Sequence, residues 1–341
     1  MEKIRLGKTE LMVSKTSFGV LPLQRLPMDE AVRILRKAYD EGINYFDTAN
    51  AYTDSEEKIG NALSDIRENI IISTKSGGTD KKTAMAHIEN SLRMLKTDYI
   101  DLFQFHNPVQ MPDPNDPDGA FAAALYMKEK GYIKHIGITN HRLKVAFQAV
   151  ESGYFETMQF PFSYLATEDE IKLVEACKNA DMGFIAMKGL AGGMLTDARA
   201  CRAWMDKFPN VVPIWGIQAM WQLEQWLELE KNPPELTDEL KAIMEKDRAE
   251  LAGNFCRSCG YCLPCPANIN IPTAGRMNML LRRSPYRPYM TEAFYKEMHK
   301  IDDCIGCYSC ASKCPYGLDT PKLLKYMLAD YDEFYSRHKD D

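Results

Sequence analysis

The 341-residue chain has no excess of basic residues and no apolar run long enough to cross a membrane. Its 42 Lys and Arg against 48 Asp and Glu leave a net charge of −6, which argues against a general nucleic-acid binder. The longest uncharged run, residues 208–223, contains two prolines and is shorter than the ~18 residues of a spanning helix. The N-terminal sequence MEKIRLGKTEL carries charges where a secretory signal needs an apolar core. We therefore expect a cytoplasmic protein whose partners include neither nucleic acid nor membrane.

A glycine-rich phosphate loop is also missing after the first apolar segment. Gly19 is followed by VLPLQRLP, without the spaced glycines of a doubly wound nucleotide-binding sheet. Instead, apolar segments alternate eight times with amphipathic ones over residues 14–231, which predicts an α/β fold of the (β/α)8 TIM-barrel class. A hairpin from Lys3 to Val13 should precede the barrel, and Asp29 should cap its first helix. The predicted strands are KTSFGV, INYFDTA, NIIISTKS, YIDLFQFH, HIGITN, TMQFPFS, GFIAMKG and VVPIWGI.

The composition changes after the barrel. We predict a barrel domain over residues 1–231, a polar helical connector over 232–253, a cysteine-rich module over 254–330 and a polar tail over 331–341. The module has ten Lys and Arg against six Asp and Glu, a net charge of +4. Eight of the ten cysteines lie in it, whereas Cys177 and Cys201 stand alone in helical patterns and are expected in the core.

Four polar residues stand at or just after the ends of three successive predicted strands. Asp47 ends INYFD, Lys75 ends IISTK, His106 ends DLFQFH, and Tyr52 follows Asp47 by five residues. In a (β/α)8 barrel the chemistry lies where the strands end, so these side chains should converge. A tyrosine can protonate the oxygen of a carbonyl that is being reduced by hydride if a lysine lowers its pKa. Asp47 would hold that lysine, and His106 would orient the carbonyl.

The order of FDTANAY, STK and FQFH resembles the aldo/keto reductase family over roughly residues 1–230. The resemblance implies a barrel that binds NADPH in extended form and reduces aldehydes or ketones, with Tyr52 as the acid. By the same resemblance Thr139, Asn140 and Gln159 would hold the nicotinamide carboxamide. Met187 replaces the aromatic residue that usually stacks on the nicotinamide. The expected cofactor contacts are Thr139, Asn140, Gln159, Met187, Lys188 and Gly216.

The segment that follows the eighth strand carries no Lys or Arg. Residues 216–221 read GIQAMW, where members of the family often place cations on the 2′-phosphate of NADPH. A phosphate needs charge-assisted partners, so we expect NADH to bind at least as well as NADPH. A flavin in place of the nicotinamide also stays open at this stage.

The module contains two runs of four cysteines, and each run ends in Cys-Pro. Two-residue gaps let three cysteines bind one cubane, while the fourth is too distant and completes the other cluster. The zinc alternative typically uses two well-separated pairs. The module resembles two-cluster ferredoxins, and the helical pattern between the runs favours an all-helical type. One [4Fe-4S] cluster is assigned to Cys256, Cys259, Cys262 and Cys314, and the second to Cys304, Cys307, Cys310 and Cys265.

The whole chain resembles a branch of aldo/keto reductases with a C-terminal ferredoxin-like domain. A nicotinamide gives up two electrons at once and a cubane accepts one, so a coupled mechanism needs a splitter such as a flavin. The leading interpretation is a carbonyl reductase that uses NAD(P)H, with clusters that exchange electrons with an acidic carrier such as ferredoxin or flavodoxin. One alternative is a flavin- or ferredoxin-coupled reductase fed through the clusters. Another is a non-catalytic redox sensor or subunit.

Overall fold

The computed structural model describes residues 1–251, 255–283 and 286–339, with the backbone alone for Arg283. These residues form two compact units. The first unit comprises Met1–Leu190 and Asp197–Lys241, and the second comprises Ala191–Thr196 and Ala242–Asp341.

The first unit is a closed barrel of eight parallel strands, in the order β10-β3-β4-β5-β6-β7-β8-β9. Each predicted strand is present, and the antiparallel pair of β1 and β2 forms the expected hairpin. The strands are β1 (Lys3–Arg5), β2 (Met12–Ser14), β3 (Ser17–Gly19), β4 (Tyr45–Asp47), β5 (Ile71–Ser76), β6 (Ile100–His106), β7 (Ile133–Thr139), β8 (Thr157–Pro161), β9 (Gly183–Met187) and β10 (Val211–Gly216).

Among the described residues, one α-helix follows each barrel strand in the sequence and packs on the barrel, and a ninth helix comes after the last of these. The α1 helix begins two residues after Leu26, at Met28, so the prediction that Asp29 caps it is wrong. Asp29 lies in its first turn instead, where a carboxylate favours the helix dipole. The helices are α1 (Met28–Asp40), α2 (Ser55–Leu63), α3 (Lys81–Leu95), α4 (Ala120–Glu129), α5 (Leu143–Ser152), α6 (Glu168–Asn179), α7 (Ala198–Met205), α8 (Met220–Lys231) and α9 (Asp238–Glu250).

The barrel strands are buried on both faces, as parallel strands covered by helices must be. In β6 every residue from Ile100 to Phe105 is buried, and only the terminal His106 is partly exposed. The isolated cysteines Cys177 and Cys201 are buried, in agreement with their expected place in the core. Apolar strands with polar last residues therefore deliver their chemistry to one end of the barrel.

The second unit is helical wherever it has regular structure among its described residues. Two short 3₁₀ turns, Arg287–Tyr289 and Lys300–Asp303, flank α12. Residues 331–338 are not the polar tail that the sequence suggested, because they continue α14 and bury the ring of Tyr331, whose hydroxyl donates to Tyr289 O at 2.7 Å. The helices are α10 (Ile271–Ala274), α11 (Met277–Arg283), α12 (Glu292–His299), α13 (Ser309–Lys313) and α14 (Thr320–His338).

A search of the described residues for a helix that is long and apolar enough to cross a membrane finds none.

Candidate active site and iron-sulfur centre

Three neighbouring strands bring Asp47, Lys75 and His106 to the same end of the barrel. Asp47 is the last residue of β4, Lys75 is the penultimate residue of β5, and His106 is the last residue of β6. The strands are parallel, and their register pairs Asp47 with Ser73 and Lys75 with Gln104. Tyr52 lies in the loop between β4 and α2. The four residues expected from the sequence are therefore gathered at the carboxyl ends of the strands.

Lys75 and Asp47 form a buried ion pair. The Nζ atom of Lys75 lies 2.6 Å from Oδ2 of Asp47 and also donates to the carbonyl of Thr48. The hydroxyl of Ser73 donates to Oδ1 of Asp47 at 2.6 Å. Burial lowers the pKa of Lys75, and the attraction of Asp47 opposes that change. The carboxylate of Asp47 thus balances the ammonium charge of Lys75 in a buried site.

The ring of Tyr52 lies close to both Lys75 and His106. Its centroid is 5.4 Å from Nζ of Lys75 and 5.6 Å from the centroid of the His106 ring. The expectation that the lysine lowers the pKa of the tyrosine is wrong for this structure. The surrounding protein and then the negative charge of Asp47 raise the pKa of Tyr52 above its usual range. The phenol is therefore protonated at neutral pH, as a proton donor must be.

His106 is held in its neutral form. Burial lowers its pKa to about 3, and the charges of Lys75 and Lys188 add to the effect. His141, which follows β7, also has a lowered pKa because it is buried and because Lys188, His106 and Arg142 are near. A neutral imidazole carries one N–H, so His106 can donate one hydrogen bond to an oxygen while it remains uncharged.

Two further buried polar residues were missed from the sequence. Gln104 donates to Oε1 of Gln159 at 2.8 Å and to Oδ1 of Asp47 at 3.3 Å. Glu56 on α2 accepts from the hydroxyl of Thr74, and burial raises its pKa. The FQFH alternation of β6 was a signal for Gln104, because a polar residue inside a buried strand needs a partner. No comparable signal marks Glu56, which sits in a helix rich in acids.

Three of the expected cofactor contacts lie together on β7 and β8. Thr139 pairs with Gln159 in register, and the amide N–H of Asn140 donates to Gln159 O at 3.0 Å. Their side chains are engaged within the protein. Thr139 accepts from the N–H of Asn107, and Asn140 donates to Pro108 O at 2.9 Å. In the same layer Oε1 of Gln104 is buried without a hydrogen bond among the described residues, an acceptor that suits the N–H of a carboxamide.

The other three expected contacts lie on β9 and β10 or just beyond. Met187 ends β9 and is partly buried, and Lys188 follows it with a left-handed φ of 57°. Gly216 ends β10, where a Cβ would come within 3.1 Å of the Pro22 ring. Beyond it Nη1 of Arg25 donates to Oε1 of Gln218 at 3.0 Å. The fold thus brings a guanidinium to a segment that has no cation of its own.

Three cysteines of the second run share an open cavity with two cysteines of the first run. Cys265, Cys304, Cys307 and Cys310 all line it. Cys262 lines the same cavity. Cys262 was assigned to the first cluster. The other four thiols of the cavity are the set assigned to the second cluster. Ile305 and Tyr308 border the cavity and are largely exposed.

The thiol of Cys256 has the neighbours expected for the first cluster. Burial raises its pKa, and the nearby Cys259 and Cys314 add to that rise. Burial also raises the pKa of Cys262 to about 12, with Cys256 and Cys259 among the further causes. The N–H of Ser258 donates to Sγ of Cys256 at 3.4 Å, and a Cβ at Gly275 would come within 2.9 Å of Cβ of Cys256. Cys314, which closes the second run in sequence, is thus near enough to Cys256 of the first run to affect the pKa of its thiol.

The charge around the cysteines fits an anionic metal cluster. Residues 254–283 and 304–318 contain five Lys and Arg and no Asp or Glu. Within the described part of the chain, no three His, Cys, Asp or Glu side chains lie close enough to hold a single metal ion. A four-iron cluster does not require such a group, because it is bound by four separate thiolates. The donor set, its spacing and its cationic surroundings thus fit two [4Fe-4S] clusters.

Comparison with known proteins supports both parts of this description. The model of the aldo/keto reductase family matches residues 15–245, and that of the 4Fe-4S dicluster domain matches residues 255–319. Uncharacterized oxidoreductase YqkF of Bacillus subtilis is 29% identical over 211 residues, which cover 58% of this chain and 67% of that protein. L-galactose dehydrogenase of Arabidopsis thaliana is 30% identical over 211 residues, covering 56% and 66%.

Solved structures show the same barrel. Aldo-keto reductase AKR11C1 from Bacillus halodurans, in its holo form, superposes with a TM-score of 0.64 at 24% identity, covering 72% of this chain and 96% of that chain. An aldo-keto reductase from Klebsiella pneumoniae in complex with NADPH has a TM-score of 0.62 at 21% identity, covering 72% and 94%. At these identities the structures establish the fold.

Proposed function

Because this chain belongs to the aldo/keto reductase family and carries a 4Fe-4S dicluster domain, we propose that it reduces a small carbonyl substrate with NAD(P)H at the mouth of its barrel. The chain is an oxidoreductase of the aldo/keto reductase type. We assign the reduction to residues 1–231 and the two clusters to residues 254–330. The substrate is a small molecule with an aldehyde or ketone group.

One observation carries this proposal, the convergence of Asp47, Tyr52, Lys75 and His106 at the carboxyl ends of β4, β5 and β6. Each residue type has a common structural role when it occurs alone, such as a salt bridge or ring packing. Together, a protonated phenol, a neutral imidazole and a buried ion pair within one site match the needs of carbonyl reduction. The same convergence argues against a non-catalytic sensor.

The residues have separate tasks in this reaction. NAD(P)H, when bound, supplies the hydride that enters the carbonyl carbon. The hydroxyl of Tyr52 gives its proton to the carbonyl oxygen, so hydride and proton together convert the carbonyl into an alcohol. His106 donates one hydrogen bond to that oxygen and orients it, and the buried Lys75 ammonium stabilises the negative charge that develops there. Asp47 holds Lys75 in place.

The residues that we assign to the cofactor belong to the same end of the barrel. Thr139, Asn140 and Gln159 would hold the carboxamide of the nicotinamide, and Met187 would lie against its ring. Lys188 and Gly216 complete the contacts expected along the cofactor. A relative solved with NADPH supports a nicotinamide, whereas no comparison supports the flavin that the sequence left open.

The module holds two [4Fe-4S] clusters that relay electrons, and their carrier is an acidic protein such as a ferredoxin or flavodoxin. The acid-free segments around the cysteines attract such a partner. Ile305 and Tyr308 are exposed at 71% and 56%, respectively, beside the cavity of the second cluster, and apolar side chains beside an exposed thiol suit brief protein contact. Thiolate-bound iron suits a reducing compartment, and we place the protein in the cytoplasm.

The alternative is that electrons reach the substrate through the clusters, without nicotinamide. The exposed border of the second cavity favours it, because it offers a carrier access to a cluster. The two candidates make opposite forecasts for one experiment. Anaerobic protein is mixed with NADPH or NADH and a panel of aldehydes and ketones, and absorbance is followed at nicotinamide and cluster wavelengths. Nicotinamide oxidation that depends on the carbonyl supports the first function, and turnover only with a reduced carrier supports the second.

A further inference from the structure

A lysine on α2 is completely buried at the carboxyl end of the barrel. The side chain of Lys58 has no exposed surface. Its Nζ atom donates to Leu23 O at 2.9 Å and to Leu26 O at 2.8 Å, and it lies 2.8 Å from Oδ2 of Asp54. An ammonium has three hydrogens, so these three acceptors satisfy it completely. Burial of an ammonium costs free energy unless it is fully paired, so Lys58 can occupy this buried place only while all three acceptors are present.

The three acceptors belong to two separate segments beside the active site. Leu23 and Leu26 lie in the stretch after β3, which includes a short 3₁₀ helix, Leu21–Arg25. The stretch starts next to Asp47, because the N–H of Val20 donates to Asp47 O at 2.9 Å. Asp54 belongs to the loop between β4 and α2 and lies two residues after Tyr52. Lys58 therefore ties the stretch after β3 to the loop that carries Tyr52.

The Tyr52 loop has a backbone that needs such support. Thr53 has a φ of 38°, in the left-handed region that non-glycine residues rarely adopt. A residue in this region persists when the contacts around it determine its position. The hydroxyl of Thr53 donates to Oε1 of Gln24 at 3.2 Å, from the same stretch that Lys58 holds. Two side-chain contacts, through Thr53 and Asp54, thus join the same two segments directly after Tyr52.

We propose that Lys58 is a positioning residue that fastens the Tyr52 loop to residues 21–26 and so fixes the phenol against Lys75 and His106. This inference rests on the proposed role of Tyr52 as proton donor. It predicts that the positioning of Tyr52 requires the ammonium of Lys58 and does not require its aliphatic stem. Loss of the ammonium leaves two buried carbonyls without their donor and frees the loop to move.

The test compares Lys58→Met with Lys37→Met in the full-length, cluster-loaded protein. Methionine keeps the apolar stem and removes the charge. Lys37 is a surface lysine on α1 that pairs with Glu41, so its variant is a matched control. Amide hydrogen exchange should become faster in residues 20–26 and 49–55 of Lys58→Met together, with the other barrel segments unchanged. The Lys37→Met variant should exchange as the original protein does.

The same variants are assayed for reduction of 4-nitrobenzaldehyde with NADPH. A misplaced acid should lower kcat by about 10- to 100-fold with little change in KM, and the solvent deuterium isotope effect on kcat should rise. A purely structural lysine would lower the amount of folded enzyme without changing the isotope effect. Unchanged exchange in both segments, or an unchanged isotope effect with normal kcat, would overturn the proposal. If the original protein reduces no carbonyl, the proposed function fails. The exchange experiment still tests whether Lys58 fastens the Tyr52 loop to residues 21–26.

A second, exposed contact keeps the test decisive if Lys58→Met does not fold. Gln24→Ala removes the acceptor of the Thr53 hydroxyl without removing a buried group. It should speed exchange in the same two segments and lower kcat in the same direction by a smaller factor. Normal exchange and normal kcat in Gln24→Ala, together with an unfolded Lys58→Met, would show that Lys58 supports the fold and does not position Tyr52.

Discussion

The rings of Tyr52 and His106 meet edge to face, with their centroids 5.6 Å apart and their planes at 82°. These residues are 54 positions apart in the chain and come from the loop after β4 and the end of β6. The contact brings a phenol and an imidazole together at the carboxyl end of the barrel, the end at which (β/α)8 barrels carry their chemistry.

Replacement of Tyr52 by phenylalanine should remove the proton donor and preserve the packing of the aromatic ring. We expect the rate of carbonyl reduction to fall by roughly 10²- to 10⁴-fold, the range of general acid catalysis, with a smaller change in substrate affinity. Single-turnover kinetics with NADPH and an aldehyde measure this step. Tyr126→Phe, at an exposed position on α4, is the matched control and should be fully active. A fully active Tyr52→Phe enzyme would rule out the acid role.

The pH dependence should lack a histidine ionisation near neutrality. Burial lowers the pKa of His106 to about 3, from an ordinary value near 6.5, so the imidazole is neutral throughout the range from pH 5 to 9. The pKa of Tyr52 is raised, so the phenol also stays protonated over that range. We therefore expect neither His106 nor Tyr52 to produce a limb in the profile of kcat/KM over that range. A descending acid limb near pH 6.5 that disappears in His106→Gln would contradict a neutral His106.

The cysteine assignment crosses between the two runs. Anaerobic protein should contain about eight irons per chain, from two four-iron clusters. Cys314→Ala should alter the cluster held by Cys256, Cys259 and Cys262, because Cys256 and Cys314 are neighbours in the structure. Electron paramagnetic resonance of the reduced variant distinguishes the clusters, with Cys307→Ala as the comparison for the second cluster. Zinc without iron would refute the clusters, and loss of the second cluster alone in Cys314→Ala would refute the crossing.

Delivery of electrons by an acidic carrier should slow as salt rises. The screening length falls to about 10 Å at 0.1 M salt, so attraction between the carrier and the cationic module weakens. Arg282 pairs with Asp330 through two contacts of 2.7 Å, so its reversal should have a modest effect, and the Arg283 side chain lies outside the described residues. Lys313→Glu, beside Cys314, should slow cluster reduction more than Lys144→Glu on the barrel. A rate that is independent of salt and of Lys313 would leave the module without an electrostatic docking face.

Cofactor preference should depend on Arg25. Residues 216–221 carry no cation, which predicts that NADH binds at least as well as NADPH, but Arg25 is held against Gln218 in this segment. If its guanidinium contacts the 2′-phosphate, Arg25→Ala should weaken NADPH binding by about tenfold, the worth of one hydrogen bond to a charged group, and leave NADH unchanged. Fluorescence titration of both cofactors measures the difference. Equal losses for both cofactors would assign Arg25 to support of the loop instead.

The sequence was most informative where local patterns are repeated. Eight apolar segments that end in polar residues were enough to predict the barrel, because in parallel strands all carboxyl ends lie on one side. The convergence of Asp47, Lys75 and His106 followed from that rule alone. The spacing of the two cysteine runs likewise indicated clusters, because the gaps determine which thiols can bind one cubane.

Only the tertiary structure decided the electrostatics and the long-range contacts. The pKa of Tyr52 is raised rather than lowered, because the ring is buried and the negative charge of Asp47 is near. Lys58 is buried against carbonyls more than thirty positions earlier in the chain, and no local pattern in the sequence indicates this contact. Such contacts depend on how the loops after β3 and β4 pack together. The hydrophobic period of each element determines which of its faces is buried, but it does not determine which distant atoms that face will meet.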